Sequence, residues 1–160
     1  MSCVKRLRVL LDSHASRYVL ISHSRAFTAQ EIAASLHVPG REMAKTVVVR
    51  TDRGFALVVV RAQDYVDLDR VSLELGASAV LADESEFAIT FPDCELGAMP
   101  PFGVLYHLPT LVDRELAKDD EIVFNAGTHT DAVRMPYAEY IELVKPRLLD
   151  VAIPQTHLVG

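Results

Sequence analysis

Hydrophobic positions change their period several times along this chain, and the changes mark its elements. Val4, Leu7, Leu10 and Leu11 recur at helical spacing, which predicts an amphipathic helix over residues 3–13. Residues 17–22, RYVLIS, follow as a β-rich run and predict a strand. Thr28-Ala29-Gln30-Glu31 is a capping box, with Thr28 as N-cap and Glu31 at N3, and predicts a second helix ending near Leu36. Residues 44–51 and 55–61, joined through Asp52-Arg53-Gly54, predict a hairpin. A helix over 68–75 stops at Gly76, and a short one is expected over 83–88. Strands are then expected at 103–106, 109–113, 121–125 and 132–135, followed by a helix with Pro136 at N1 that ends before Pro146. The apolar tail carries no strong pattern. Short strands with unevenly interspersed helices predict a single α+β domain rather than regular βαβ winding.

Period-two alternation gives the first hairpin strand two faces. Lys45, Val47 and Val49 share one face, and Thr46, Val48 and Arg50 the other. Arg50 is expected to reach solvent, which turns Lys45 inward at the strand's entry. Such a lysine either holds its ammonium at a rim or points a compact cation into a cavity.

Composition narrows the function. With 160 residues the chain is large enough to bury a core without staples. Its longest apolar run, 55–60, is far short of a membrane span, and its N-terminus lacks a secretory pattern. Two widely separated cysteines suggest no disulfide framework, so a reducing cytoplasm is expected. The net charge of −6 argues against DNA or general nucleic-acid binding; contact with a nucleic acid should be small or shared with a partner. No GxSxG elbow or phosphate loop occurs, and the six histidines show no HxxxH or HxH spacing, so neither metal nor cofactor is expected. Cys94 lies between Asp93 and Glu95, whose charges oppose a thiolate nucleophile.

Two loops remain as candidates. Gly97-Ala98-Met99-Pro100-Pro101-Phe102-Gly103 is stiffened by prolines, bare at both ends and apolar where a surface turn is normally polar. It is expected to form one wall of a pocket facing Lys45, with Met99 and Phe102 as apolar surfaces. The second loop, Asn125-Ala126-Gly127-Thr128-His129-Thr130-Asp131, either bonds its own backbone or presents His129 and backbone amides to a ligand.

In this order, AKTVVV with Lys45, GAMPPFG with Gly97-x-x-x-Pro101, and FNAGTHTDAVRM resemble the YbaK/ProX family of aminoacyl-tRNA deacylases. That family includes the insertion domain of bacterial prolyl-tRNA synthetases. LPTLVD at 108–113 and RMPYAEYIELV also fit, and the likeness runs from about residue 4 to 150. It implies an editing domain over 1–150, a tail over 151–160, and a curled, largely antiparallel mixed sheet or barrel flanked by helices. It also implies hydrolysis of the ester joining a wrong amino acid to tRNA. Asn125-Ala126-Gly127 and Pro100-Pro101-Phe102-Gly103 fit the free-standing ProX-like branch. A small amino acid such as alanine or cysteine on tRNA-Pro is the implied substrate, and a synthetase such as prolyl-tRNA synthetase a possible partner at the acceptor end. By this resemblance Lys45, Gly97 and His129 carry the chemistry. Thr46, Ala98, Met99, Pro100, Pro101, Phe102, Gly103, Asn125, Gly127 and Thr128 surround the substrate. A non-catalytic module that holds aminoacyl-tRNA ends or nucleotides is the alternative, and a small-ester hydrolase a third reading.

Overall fold

The computed structural model describes residues 2–25, 29–36, 39 and 41–154. Helix α1 (Cys3–Ser13) buries Cys3, Leu7 and Leu11 at i, i+4 and i+8, and Ser2 caps it by accepting from the Lys5 N–H. Strand β1 (Val19–Ser22) leads toward α2 (Ala29–Ser35); Thr28, its expected cap, lies outside the described residues. Strands β2 (Ala44–Thr51) and β3 (Gly54–Arg61) form the expected hairpin, in register from Ala44↔Arg61 to Thr51↔Gly54. After β4 (Tyr65–Val66), α3 (Leu68–Leu75) starts under an Asp67 cap and ends at Gly76, whose φ of 67° places it in the left-handed region. Strand β5 (Val80–Leu81), α4 (Glu84–Phe87), β6 (Thr110–Asp113), β7 (Glu121–Asn125) and β8 (Asp131–Pro136) come next. Helix α5 (Tyr137–Val144) precedes β9 (Arg147–Leu149) and β10 (Ala152–Ile153).

Three sheets result. β5-β2-β3-β6-β9 is mixed, β1-β8-β7 is antiparallel, and β10 pairs with β4. The first two face each other across one core that contains Val59, Phe102, Val112, Phe124, Val133, Met135 and Tyr140. The outer face of β2–β3 carries a second layer, where Val49, Val58 and Val60 meet Val71 of α3 and Val151. Helix α2 covers a third cluster through Ile32 and Ala33 against Met43, Ala62, Val123 and Ala132. The fold is thus the expected α+β architecture with a curled mixed sheet.

Four expectations need correction. Residues 103–106 form a 3-10 turn, Gly103–Leu105, because the Tyr106 and Leu108 N–H groups fold back onto the Gly103 carbonyl. Pro136 caps α5 from outside rather than occupying N1. Residues 147–153, expected to carry no strong pattern, are paired: β9 lies beside β6, β10 beside β4, and Val151 is fully buried. Cys3 and Cys94, 91 residues apart, are joined by a disulfide with Cα atoms 5.1 Å apart. Spacing cannot reveal such a pair; α1 has to dock before the two sulfurs meet.

Candidate functional site

The residue just before β2 forms a single parallel bridge to β7. Met43 bridges Val123, and the Val123 N–H donates to the Glu42 carbonyl at 3.0 Å. Beyond that bridge no ladder joins the two strands among the described residues. On this edge β2 next pairs at Val49 and Arg50, with β5. Between those anchors, residues 44–47 have no strand partner on that edge among the described residues, so the chain has a fork with Lys45 and Thr46 on one arm. On the other arm lies Asn125, two residues past Val123 and opposite Ala132.

Lys45 shares its strand face with Met43, whose side chain packs under α2. It is half-buried, and its ammonium lies 5.4 Å from the centre of the Tyr65 ring. Desolvation lowers its pKa, partly opposed by the charge of Asp64. Asp64 is itself buried and held by Arg61 at 2.7 Å. On the core face of β2, Thr46 remains partly exposed between buried Ala44 and Val48, so solvent reaches this arm of the fork. Asn125 is 8% exposed, and its Oδ1 is buried with no hydrogen-bond partner among the described residues.

The two candidate loops are laced together just past Asn125. The Glu95 N–H donates to the Gly127 carbonyl at 2.8 Å, and Glu95 Oε1 accepts the His129 N–H at 3.0 Å. His129 Nε2–H in turn donates to the Leu96 carbonyl at 2.8 Å. The N–H of His129 and the salt bridge to Arg25 hold Glu95 below the usual carboxylate range against desolvation. Gly97 has a φ of 83° and faces His129: a Cβ there would lie 3.7 Å from His129 Cε1. Its N–H makes no hydrogen bond within the described residues. Gly127, with a φ of 107°, is pressed against Cys3, whose Sγ would be 2.6 Å from an added Cβ.

The second loop divides between its two readings. Thr128 Oγ1 donates to Asp131 at 2.6 Å and accepts the Thr130 N–H, so those residues do bond their own turn. His129 instead reaches across to the other loop. His23 joins the group by donating its backbone N–H to the Thr130 carbonyl at 2.9 Å.

The Gly97–Gly103 loop does not present its apolar side chains to an open hollow. Ala98, Met99, Pro100, Pro101, Phe102 and Gly103 are all buried. Met99 packs on Val48, Leu57, Phe87 and Phe91, and Phe102 on Phe124 and Tyr140. These contacts lie on the face of the hairpin away from Lys45, so the expectation of Met99 and Phe102 as walls facing the lysine is corrected. Volume between the two sheets had to be filled, and the loop fills it. The Pro101 carbonyl, which accepts from the Tyr140 hydroxyl at 2.7 Å, pins it there. Only the Gly97 end emerges. A cavity of about 320 Å³ lies elsewhere, beside Arg53, His107 and Arg147. The arginines of and beside the hairpin are engaged: Arg41 with Asp119, Arg50 with Glu86, Arg61 with Asp64, and Arg53 with the Leu75 carbonyl. Glu95, Asp64 and Tyr65 escaped the sequence reading. Each acts by supporting a neighbour, and spacing carries no signal for that.

The chain is similar to known proteins. A curated relative, the multifunctional Ser/Thr-tRNA deacylase ProXp-y of Escherichia coli (strain K12), is 25% identical over 152 residues, covering 91% of this chain and 90% of the relative. A proline–tRNA ligase of Bacillus cytotoxicus is 28% identical over 88 residues, 55% of this chain but 16% of that enzyme. Among solved structures, hypothetical protein APE2540 superposes with a TM-score of 0.84 at 20% identity, covering 92% of this chain and 99% of that one. A protein provisionally described as a trans-editing enzyme for prolyl tRNA synthetase superposes at 0.82, with 21% identity over 96% and 98% of the two chains. The model of the aminoacyl-tRNA editing domain matches residues 23–143, and the chain belongs to that family.

Proposed function

We propose that this chain is an aminoacyl-tRNA deacylase acting in trans, which hydrolyses the ester between a small amino acid and the terminal adenosine of a mischarged tRNA. The observation that carries the reading is the fork. It sets a half-buried cation, Lys45, on one arm and Asn125 on the other, whose buried Oδ1 has no partner among the described residues; past Asn125 comes the loop whose His129 faces Gly97, a residue whose N–H is likewise unbonded among the described residues.

An aminoacyl ester is already reactive, so the site needs to bind, orient and stabilise charge rather than build a strong nucleophile. A water molecule attacks the ester carbonyl, assisted by the neighbouring ribose hydroxyl. The Gly97 N–H receives the developing oxyanion; one such donor is worth about 2.7–4 kcal/mol. Lys45 anchors the terminal phosphate or ribose, or polarises the carbonyl. Asn125 offers a hydrogen bond to the substrate ammonium or a side-chain hydroxyl. His129, tied through Nε2 to Leu96, shapes the floor beside Gly97.

Alanine, cysteine and serine are the substrates to test first, with tRNA-Pro as the first carrier. Alanine and cysteine are what the family resemblance implies; serine follows from the Asn125 amide and from the Ser/Thr-tRNA deacylase that is the Escherichia coli relative. Prolyl-tRNA synthetase is the natural partner to add, because an acidic chain whose hairpin arginines are engaged has little free positive charge for tRNA. A panel of mischarged tRNAs, incubated with wild type and Lys45→Ala, tests the reading. Faster ester loss with wild type on a small amino acid supports it. An ester that survives longer in the presence of the protein would identify a binding module instead.

A further inference from the structure

We propose that Cys3–Cys94 is a reversible thiol–disulfide site whose state sets the position of the Glu95–Gly97 segment. Its effect on deacylation rests on the function proposed above; the switch itself does not.

The pair sits directly behind the site. Cys3 opens α1 and is 1% exposed, whereas Cys94 is partly exposed and immediately precedes Glu95. Cys3 has no slack on its far side, because its Sγ and Cβ are packed against Gly127. Its backbone is also fixed, donating from N–H to the Asp93 carbonyl at 3.1 Å. Two thiols occupy more room than two bonded sulfurs. On reduction the extra separation must therefore come from Cys94 or from the Gly127 turn. Both are tied to the same residue: Glu95 follows Cys94, bonds the Gly127 carbonyl, and holds the His129 N–H. A displacement there reaches Gly97 within two residues.

The more exposed of the two cysteines, Cys94, sets the order of steps. The thiolate of an external dithiol attacks Cys94 Sγ, a mixed disulfide forms at Cys94, and Cys3 leaves as thiolate. The Tyr106 hydroxyl lies 3.4 Å from Cys3 Sγ and 2.9 Å from Cys94 Sγ, and the Arg6 guanidinium lies 4.9 Å from the Tyr106 ring centre. The second thiol of the reductant then displaces Cys94. Protein disulfide plus dithiol become protein dithiol plus a cyclic disulfide, with two electrons and two protons passed to the protein. In a reducing compartment a disulfide is mostly of this transient, sensing kind. A metal is the competing use, since Cys3, Asp93 and Cys94 present ligand atoms within 4.8 Å of one another. Asp93, however, already bonds Arg6 at 2.7 Å and Tyr106 at 3.1 Å.

The test uses full-length protein equilibrated across ratios of reduced to oxidised dithiothreitol, with thiols counted by mass after alkylation. Amide exchange at His129 and deacylation are followed in the same samples. Two thiols should appear together at one midpoint, and His129 amide protection should fall on reduction. Deacylation should drop reversibly by between about 5-fold and the ~100-fold that a 1 Å misplacement can cost. The double variant C3S/C94S should sit at the reduced level and ignore the reductant. Thiols that never oxidise, oxidation that leaves His129 exchange unchanged, or one equivalent of zinc retained by the reduced protein would each overturn the proposal. If no form deacylates any charged tRNA, the functional reading fails, while the thiol count and amide exchange still decide the switch.

Discussion

Replacing Lys45 by Met separates binding from folding more sharply than any other single change. The side chain is half-buried, with its ammonium over Tyr65, and its nearest carboxylate, Asp64, is already held by Arg61 at 2.7 and 3.3 Å. Methionine keeps the length and contact area of the stem. The loss of a cation–π contact, about 0.5–1 kcal/mol at exposed sites, is set against relief of desolvation. Stability should therefore change by no more than about 1 kcal/mol. Activity should not be so forgiving. A hydrogen bond to a charged group is worth about 1.5–3 kcal/mol, and 1.4 kcal/mol is tenfold, so kcat/KM should fall about 10- to 150-fold. Salt then identifies the atom that Lys45 serves. If it holds a phosphate of the single-stranded end, the variant loses about 0.7 from the slope of log K against log salt. If it polarises the carbonyl, the slope is unchanged and kcat carries the loss. A pH series adds a stability check. Because burial lowers the Lys45 pKa, the folded protein sheds this proton first, so wild type gains stability relative to Lys45→Met as pH rises from the lowered value toward 10.5. Lys45→Glu keeps a charge at the sheet edge while reversing its sign, and should lose activity as completely. A folded Met variant with wild-type deacylation would refute the role of Lys45.

Other predictions follow from the loops. Gly97→Ala meets no clash but forces a left-handed φ on alanine, about 1–2 kcal/mol; calorimetry should show that modest loss while deacylation falls at least tenfold. Gly127→Ala adds a collision with Cys3 to the same backbone strain, and urea melts should show about 2–4 kcal/mol lost. Tyr140→Phe leaves the buried Pro101 carbonyl unpaired and should cost about 1–3 kcal/mol by the same measurement. Glu95 has a lowered folded pKa, so the stability it contributes is complete above its ordinary value of 4.5 and is lost as pH falls through the lowered one. In Glu95→Gln that part of the acid limb of a Tm–pH curve should be flat, and His129 amide exchange should no longer depend on acid.

What could be read from the sequence divides along a physical line. Local rules were sufficient where an element is determined by its own residues. The Val-rich hairpin has a turn between matched runs, Gly76 supplies the left-handed stop of α3, and Cys3, Leu7 and Leu11 carry the buried stripe of α1. They failed where partners far along the chain decide. GVLY at 103–106 is β-rich, yet a Cβ at Gly103 would collide with Thr110 Oγ1 and the Leu108 carbonyl, so this segment turns. β4, β5 and β10 are two-residue strands that exist only because a neighbour presents an edge. The alternation in β2 gave the faces correctly but not their environments: Val48, expected on the solvent side, is covered by Phe87, Phe91 and Met99. In the site, the pairing of Gly97 with His129 was suggested by the resemblance. Its mechanism, a carboxylate from Glu95 holding the His129 amide, has no sequence signature.

The fork ties these observations into one physical account. A strand edge left unpaired is a hazard, because its amides and carbonyls invite another chain. β2 leaves such an edge over residues 44–47, between the bridge at Met43 and the pairing with β5, and a lysine stands in it. A lysine there deters aggregation whatever else it does, so its charge alone is no evidence of catalysis. The rest of the gap is what an edge-protecting role leaves unexplained. Protection does not require a buried asparagine with an unpartnered oxygen on the opposite arm, nor a carboxylate committed to orienting one histidine amide, nor a glycine held at a positive φ with its N–H unused. The unpartnered oxygen and the glycine at a positive φ are costs to the folded chain when the gap is empty, and on the proposed function each becomes an interaction when an aminoacyl ester enters it. Stability sacrificed at one place, as at Asn125 and Gly97, is what the proposed function accounts for and edge protection does not.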